Sequence, residues 1–443
     1  MTLSRREFLA GTATLAAGTL APSRLIAAIE KHSPPSPRID NWSDLRSQFD
    51  LAPGYLHFSC FYLASHPRPV RLAIESFRRA LDANPFLTVE RGMFETEAAN
   101  LQRHVQAKMA PYFDARAEEI ALTGNTTTGL ALVYHGLPLQ AGDEILTTTH
   151  DHYSHHESIR LSCERSGASW RKVTLYDQPQ SADTTAIVER IRRGIRSNTR
   201  VVGVTWVHSS SGVRLPIREI ATAIDAVNRG RDARHRVLLV VDGVHGLGAV
   251  DQSVADLGCD YFCAGTHKWM FAPRGTGIIW AQADNWARLR PLIPTFSDMS
   301  AYGAWMDGKV LSTPTNAARV TPGGFQAYEH QWAMGAAFDL HQRLGRARVA
   351  GRIRELNDQL KEGLAGIRRV KVLTPRDPLL SAGLVAFEID GIATDDVVRR
   401  LLEHKVVASS SPYKVSYPRL SASVVNTPAD VDRALAAVRA VAA

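Results

Sequence analysis

The stretch Leu238–Trp280, LLVVDGVHGLGAVDQSVADLGCDYFCAGTHKWMFAPRGTGIIW, decides the fold. Its opening run, LLVVD, is short, β-branched and apolar up to a terminal aspartate, Asp242, so it reads as a strand buried on both faces. YFCAG and TGIIWA have the same character. Working outward, EIALTG, EILTTT and VVGVTWV are further brief apolar runs, and each run reads as set apart from the next by a helix-length stretch. That alternation predicts an α/β fold, a mainly parallel sheet covered by helices on both sides. From about Trp332 a long amphipathic helix begins, HQWAMGAAFDLHQRLG, followed by a smaller α+β pattern with LVAFEI as a strand and ADVDRALAAVRAVAA as a closing helix. The expected division is a tether and N-terminal segment over 29–69, a large domain over 70–331 and a small C-terminal domain over 332–443.

The 443 residues are 45% hydrophobic and 22% charged, enough for a sizeable core without a disulfide scaffold. The net charge of +8 is scattered. Its densest runs, 190–196 and 229–236, lack interleaved aromatics and read as solvated surface, not a nucleic-acid platform. Cys60, Cys163, Cys259 and Cys263 follow no metal spacing, and the last two flank a buried strand as small core residues. The N-terminus, MTLSRREFLAGTATLAAGTLAPSRLIAA, pairs Arg5 and Arg6 ahead of a weak apolar run from Phe8 to Ala21. That run is too short to anchor stably in a bilayer. Its layout resembles a twin-arginine (Tat) export signal, with cleavage expected near Ala27 or Ala28, transport by the Tat translocase and a periplasmic destination.

Asp242 stands at the mouth of the sheet, where α/β folds bind ligands. About one strand–helix–strand unit later comes Lys268, in GTHKW. A buried lysine and a carboxylate are what pyridoxal 5′-phosphate (PLP) demands: the amine forms a Schiff base, and the anion keeps the pyridine nitrogen protonated so that the ring can take up electrons. As a bare pair they are unspecific. A second feature, ALTGNTTTGLALVYHGL, runs a strand into Asn125 and three threonines that open a helix. That turn suits an anion, though alone it reads sooner as an ordinary helix cap.

Together these motifs resemble the class V aminotransferase family of fold-type I PLP enzymes, which includes isopenicillin N epimerase-like proteins and cysteine desulfurases. The resemblance runs from YLHFSCFYLASHPRPV to VVNTPADVDRALAAV. It implies a large mainly parallel α/β/α domain with a small α+β domain, and a homodimer. Residue by residue it implies Lys268 as the Schiff-base (aldimine) lysine, Asp242 on the pyridine nitrogen and His245 on the phenolic oxygen. It places Thr126 and Thr127 on the phosphate, with His267 and the weaker candidate Thr266. Ser209, or its neighbour His208, lies where a side chain approaches the ring. Tyr153, with His152 second, is expected to stack on the ring, and Arg419 in SYPRLSASVVNT to bind a substrate α-carboxylate.

Two departures stand out. Where the family often has a Gly-Thr pair donated by the partner subunit, this chain has TPGGFQAYEH, leaving Gly323 and Gly324 to offer backbone amides. No cysteine follows Cys263, which disfavours the desulfurase mechanism. His150, His152, His155 and His156 crowd one turn without a second ligand cluster, so no metal is expected. The implied activity is that of an exported PLP enzyme, an aminotransferase or epimerase of an amino acid or of a peptide or siderophore-type natural product, similar to periplasmic pyoverdine-tailoring enzymes. A PLP-dependent C–S lyase and a catalytically silent PLP-binding module are the alternatives. Loops 58–62 and 296–314 are expected to shape the entrance.

Overall fold

The computed structural model describes residues 38–95 and 100–443, so the expected signal over 1–28 and the start of the tether lie outside the described residues. Among the described residues no helix is long and apolar enough to cross a membrane. The chain opens with β1 (Leu56–His57), α1 (Arg68–Ala83) and α2 (Leu101–Phe113). It continues through β2 (Ile120–Thr123), α3 (Thr126–Gly136), β3 (Glu144–Thr148), α4 (Tyr153–Ser166), β4 (Ser169–Val173) and α5 (Thr184–Gly194). Then come β5 (Thr199–Thr205), α6 (Ile217–Asn228), β6 (Leu238–Asp242), β7 (Tyr261–Gly265) and β8 (Gly277–Ala281).

These strands form a seven-stranded sheet in the order β2-β8-β7-β6-β5-β3-β4, in which β8 alone runs antiparallel to its neighbours. Side chains alternate across it, as extended backbone requires. Val202, Val204, Leu239 and Val241 join one core with Ile187, Ile191, Ile220 and Ile224 of α5 and α6. Val201, Leu238 and Val240 face the other way, onto Leu130, Val133 and Tyr134 of α3. Burial on both sides explains why these strands read as unbroken apolar runs. β4, SWRKV, is the exception: it lies at the sheet edge with no buried residue, so its sequence shows no apolar run, and the strand was not expected.

The C-terminal part begins with α7 (Tyr328–Leu344), which packs on α1 and α2, and α8 (Arg346–Ala365). It continues with β9 (Val370–Val372), β10 (Val385–Ile389), α9 (Thr394–Glu403), β11 (Val406–Val407), β12 (Ser409–Ser410), β13 (Pro418–Leu420) and α10 (Pro428–Ala442). β12-β13-β10-β9 form a four-stranded antiparallel sheet whose core holds Leu356, Leu360, Val397, Leu401, Val431 and Val438. The N-terminal segment joins the C-terminal part, as a small domain built from both ends of the sequence requires. β1 pairs in parallel with β11, and Leu56 and Phe58 are buried in the small sheet's core.

Parallel pairing sets the site. Thr205, Asp242 and Cys263 are neighbours in register, so β5, β6 and β7 end together at one edge of the sheet. The turn after β6 is tight because Gly243 and Gly246 lie directly against aromatic rings: a Cβ on either would fall 2.0 Å from Phe262 or Trp206. Gly246→Ala is expected to cost about 1–3 kcal/mol through overpacking. A thermal or denaturant melt of the purified variant should show that loss.

Candidate active site

β6 delivers Asp242 to a cavity of about 760 Å³ at that edge. The carboxylate is buried and accepts a hydrogen bond from the Val244 amide at 3.1 Å. Burial pushes its carboxyl up to about 6, against the lowering effects of that bond and of the Lys268 charge. One turn on, His245 Nε2 sits 3.2 Å from Lys268 Nζ, while its Nδ1 is buried without a partner. Burial, and then the Lys268 charge, hold His245 well below the ordinary histidine range, so it is neutral.

Lys268 follows β7 on a turn stabilised by the bond from the Phe271 amide to the Lys268 carbonyl, 3.0 Å. Phe271 holds the left-handed region, φ +55°, where a bulky residue is strained, and packs edge-on against Phe49 at 5.0 Å. Burial brings the Lys268 ammonium down to about 8, Asp242 opposing and Arg419 adding to the shift. Lys268 and Asp242 line the same cavity but form no ion pair within 4 Å. A gap separates them.

The threonine turn forms another wall. Asn125 caps α3 by accepting from the Thr128 amide at 2.9 Å, which leaves the preceding amides free of the cap. The Thr126 hydroxyl accepts from the Gly265 amide at 2.7 Å, so its own proton is available to a ligand. Thr127 and His267 also line the cavity, and His267 Nδ1 has no partner. Thr266 does not line it. Residues leaving a strand alternate sides, and Thr266 turns back to meet Thr276, hydroxyl to hydroxyl, at 2.6 Å.

Arg419 arrives from β13, nearly the far end of the chain, and is buried over the Phe61 ring at 4.8 Å. It donates to the carbonyls of Ser209 at 2.5 Å and Ser410 at 2.9 Å, its Nε is unpartnered, and no acidic side chain lies within 4 Å among the described residues. Burial lowers it to about 10. Ser209 lines the cavity and bonds the Tyr413 hydroxyl at 2.7 Å; His208 lies buried behind it, held by the Tyr176 hydroxyl at 2.7 Å.

The expected stacking residue needs correction. Tyr153 is 71% exposed and off this wall, whereas His152 is on it. His152 is the extended cap residue of α4 and Tyr153 its first helical one, so their side chains diverge. The other histidines scatter: His150 stacks on Tyr176 at 3.8 Å, His155 bonds the Tyr134 hydroxyl at 2.7 Å and His156 the Thr148 carbonyl at 2.8 Å. Loop 58–62 supplies Phe61 and Tyr62, but nothing from 296–314 lines the cavity. The Gly323 amide donates to the Pro294 carbonyl at 2.9 Å, and neither Gly323 nor Gly324 lines the cavity of its own chain, the expected contact being with the partner subunit's cofactor.

Sequence reasoning passed over Asp151, hidden among the histidines. It is buried, accepts from the Thr147 hydroxyl, the Thr148 amide (both 2.8 Å) and the Thr205 amide (2.7 Å), and so ties the end of β3 to that of β5. Burial would raise its carboxyl; His155, His208 and the hydrogen bonds outweigh that and hold it far below the usual range.

The chain matches the aminotransferase class-V family over residues 64–434. It belongs to that family. It is 29% identical over 358 residues to isopenicillin N epimerase from Amycolatopsis lactamdurans, covering 79% of this chain and 84% of that protein. It is 25% identical over 427 residues to a probable cysteine desulfurase from Xylella fastidiosa, covering 91% and 96%. Its fold is that of the cystine C–S lyase C-DES, TM-score 0.76 at 23% identity over 87% of this chain and 98% of that one. The cysteine desulfurase from Thermococcus onnurineus NA1 gives TM-score 0.76 at 22% identity, over 92% and 99%.

The cofactor of this class V enzyme is therefore PLP, and the cavity fits it. The spare Thr126 proton and the amides at the start of α3 suit a phosphate, and His245 and His267, each with a buried ring nitrogen that has no partner, line the same cavity as Lys268 and Asp242. Asp151→Ala should leave the Thr148 and Thr205 amides buried without acceptors, each costing about 1–3 kcal/mol. The expected result is a lower melting temperature, with weaker PLP retention on gel filtration.

Proposed function

We propose that Lys268 carries the cofactor and that the enzyme acts at the amine-bearing carbon of a substrate with a neighbouring carboxylate, by amino transfer or epimerisation. The observation that carries this reading is Lys268, buried and lowered to about 8, sharing one cavity with Asp242 and with an Arg419 that has no acidic partner among the described residues. When bound, PLP draws electrons away from that carbon and makes its proton removable. Lys268, largely neutral above about pH 8, takes that proton. Asp242 supplies the negative charge that favours a protonated pyridine nitrogen, and neutral His245 orients the Lys268 amine at 3.2 Å. Thr126, Thr127 and His267 hold the phosphate, and His152, not Tyr153, covers the ring. Arg419 presents its free edge to the carboxylate and fixes which carbon faces Lys268. A proton delivered to the opposite face of the same carbon gives epimerisation; one passed from Lys268 to the bound cofactor would give amino transfer.

C–S lysis is the second reading. It begins with the same proton transfer to Lys268 and then expels a thiol, needing no cysteine of the protein. That suits a chain whose four cysteines are all buried and free. A silent binding module would bind PLP and amines without turnover. In either active case we propose a homodimer, exported by the twin-arginine route with its cofactor already in place and working in the periplasm on a small-molecule amine or peptide natural product of siderophore type.

Borohydride treatment of the holoenzyme followed by peptide mass spectrometry should find the cofactor fixed to Lys268, and Lys268→Ala should show none fixed. For the cofactor-free protein, the rate at which added PLP produces the yellow chromophore should rise with pH and level off above about 8, because burial favours the uncharged amine. Retention of full turnover by Lys268→Ala would overturn the reading.

Arg419→Gln should raise KM for an α-amino acid by about 10–100-fold, the loss of a charged hydrogen-bonded pair of roughly 1.5–3 kcal/mol. The matching amine without a carboxylate should be unaffected. Steady-state kinetics on the two substrates checks it.

A further inference from the structure

A second chamber of about 550 Å³ adjoins the active-site cavity, and the activity proposed above makes no use of it. Pro412 lines both spaces. The chain passes from one to the other twice more: His152 faces the first and Tyr153 the second, while Ser209 faces the first and Ser210 and Ser211 the second. Between them stands Tyr413. Its hydroxyl is tied to Ser209 at 2.7 Å, and its ring meets His152 edge-on at 6.0 Å. Tyr413 is thus the partition, and it sits beside the Ser209 carbonyl that holds Arg419.

The chamber has a distinct chemistry. Trp170, Tyr176 and Tyr417 give it aromatic walls, and Tyr153 stands exposed at its rim. Two ammonium groups, Lys172 and Lys414, face it. Lys172 lies over the Trp170 ring at 5.0 Å and bonds His156 at 3.2 Å, a histidine that burial keeps neutral. Lys414 has no acidic partner within 4 Å among the described residues. The chamber's exposed carboxylates are engaged elsewhere: Glu157 pairs with Arg160 at 2.9 Å and Asp177 lies 3.5 Å from Arg190. Asp151 also lines the chamber, but it is buried and its charge is met by the Thr147 hydroxyl and the Thr148 and Thr205 amides; among the exposed groups the uncompensated charge is therefore positive, set among rings that offer flat faces.

We propose that this chamber is a substrate subsite that takes the distal part of an extended amine, a flat aromatic group carrying an anion, while the amine and its carboxylate occupy the Lys268–Arg419 cavity. The assignment rests on the function proposed above and deepens it: the substrate is an elongated conjugate, not a free small amino acid. Tyr413 separates head from tail, and the connecting chain passes at Pro412. Either space alone is of a size that holds a small ligand; joined, they suit a longer molecule.

The test uses the holoenzyme and two amines with the same head, L-glutamine and γ-L-glutamyl-4-aminobenzoate, titrated against the cofactor absorbance so that binding is read without turnover. The aryl conjugate should half-saturate at a concentration at least about tenfold lower than glutamine. In the double variant Lys172→Glu, Lys414→Glu that advantage should disappear while the glutamine titration stays as in the native enzyme; both residues are on the surface and outside the proposed catalytic set. Equal half-saturation by the two amines in the native enzyme, or an undiminished preference in the variant, overturns the subsite and leaves the proposed function standing. A spectrum that responds to neither amine overturns the proposed function, and the subsite with it.

Discussion

A buried carboxyl and a buried amine share one cavity here without touching. Neither Asp242 nor Lys268 has an ion-pair partner within 4 Å among the described residues, and burial drives the two toward neutrality from opposite sides, up to about 6 and down to about 8. Taking ionisable groups out of water is costly unless something else compensates them. The rest of the architecture follows from that requirement. Strands of one direction must end in register so that the carboxyl and the lysine turn face a common space, and the glycines after β6 must let that turn close against Trp206 and Phe262. Asp242 would hold a cationic ring nitrogen and Lys268 would react with an aldehyde, and PLP supplies both groups.

The fold was legible because its central strands are buried on both faces, and apolar runs such as LLVVD and YFCAG leave little else for them to be. β4 escaped notice for the opposite reason: at the sheet's edge Arg171 and Lys172 can face out, and the pattern of a buried strand is lost. The candidate residues were legible where chemistry and position coincide, as at Lys268, Asp242, Thr126 and Arg419. They were not where a half-turn of backbone decides the outcome. Tyr153 and His152 are adjacent letters on opposite sides of a helix cap, and Thr266 turns to Thr276 while the two residues after it, His267 and Lys268, line the cavity. Asp151 was missed because its partners are the main-chain amides of Thr148 and Thr205, which carry no sequence signature. Phe61 beneath Arg419 is a contact between chain ends that no local pattern announces.

The carboxylates on either side of the sheet mouth behave differently because their surroundings do. Asp151 and Asp242 are both buried, yet Asp151 accepts three hydrogen bonds and keeps its charge, while Asp242 accepts one from the backbone and is raised. Neighbouring His155 and His208 together with preorganised donors, not burial as such, decide that Asp151 stays an anion. In the cofactor-free protein Asp242 is accordingly the responsive member of the two, and Asp151 the fixed one.

The pairing of β1 with β11 has a consequence for how the molecule comes into being. Leu56 aligns with Val406, and the Phe58 carbonyl receives the Ser421 amide, so the small sheet is stitched from opposite ends of the polypeptide. Such distant pairing is slow to form, because the closure entropy of the whole intervening chain must be met before any contact rewards it. During synthesis the large sheet has all its strands early, but the wall that holds Arg419 over Phe61 has to wait for residues near the end. A ribosome-bound chain could hold a nearly complete sheet and still lack a pocket. Synthesis of the β13 segment, well after the large sheet, is thus the event that completes the cavity.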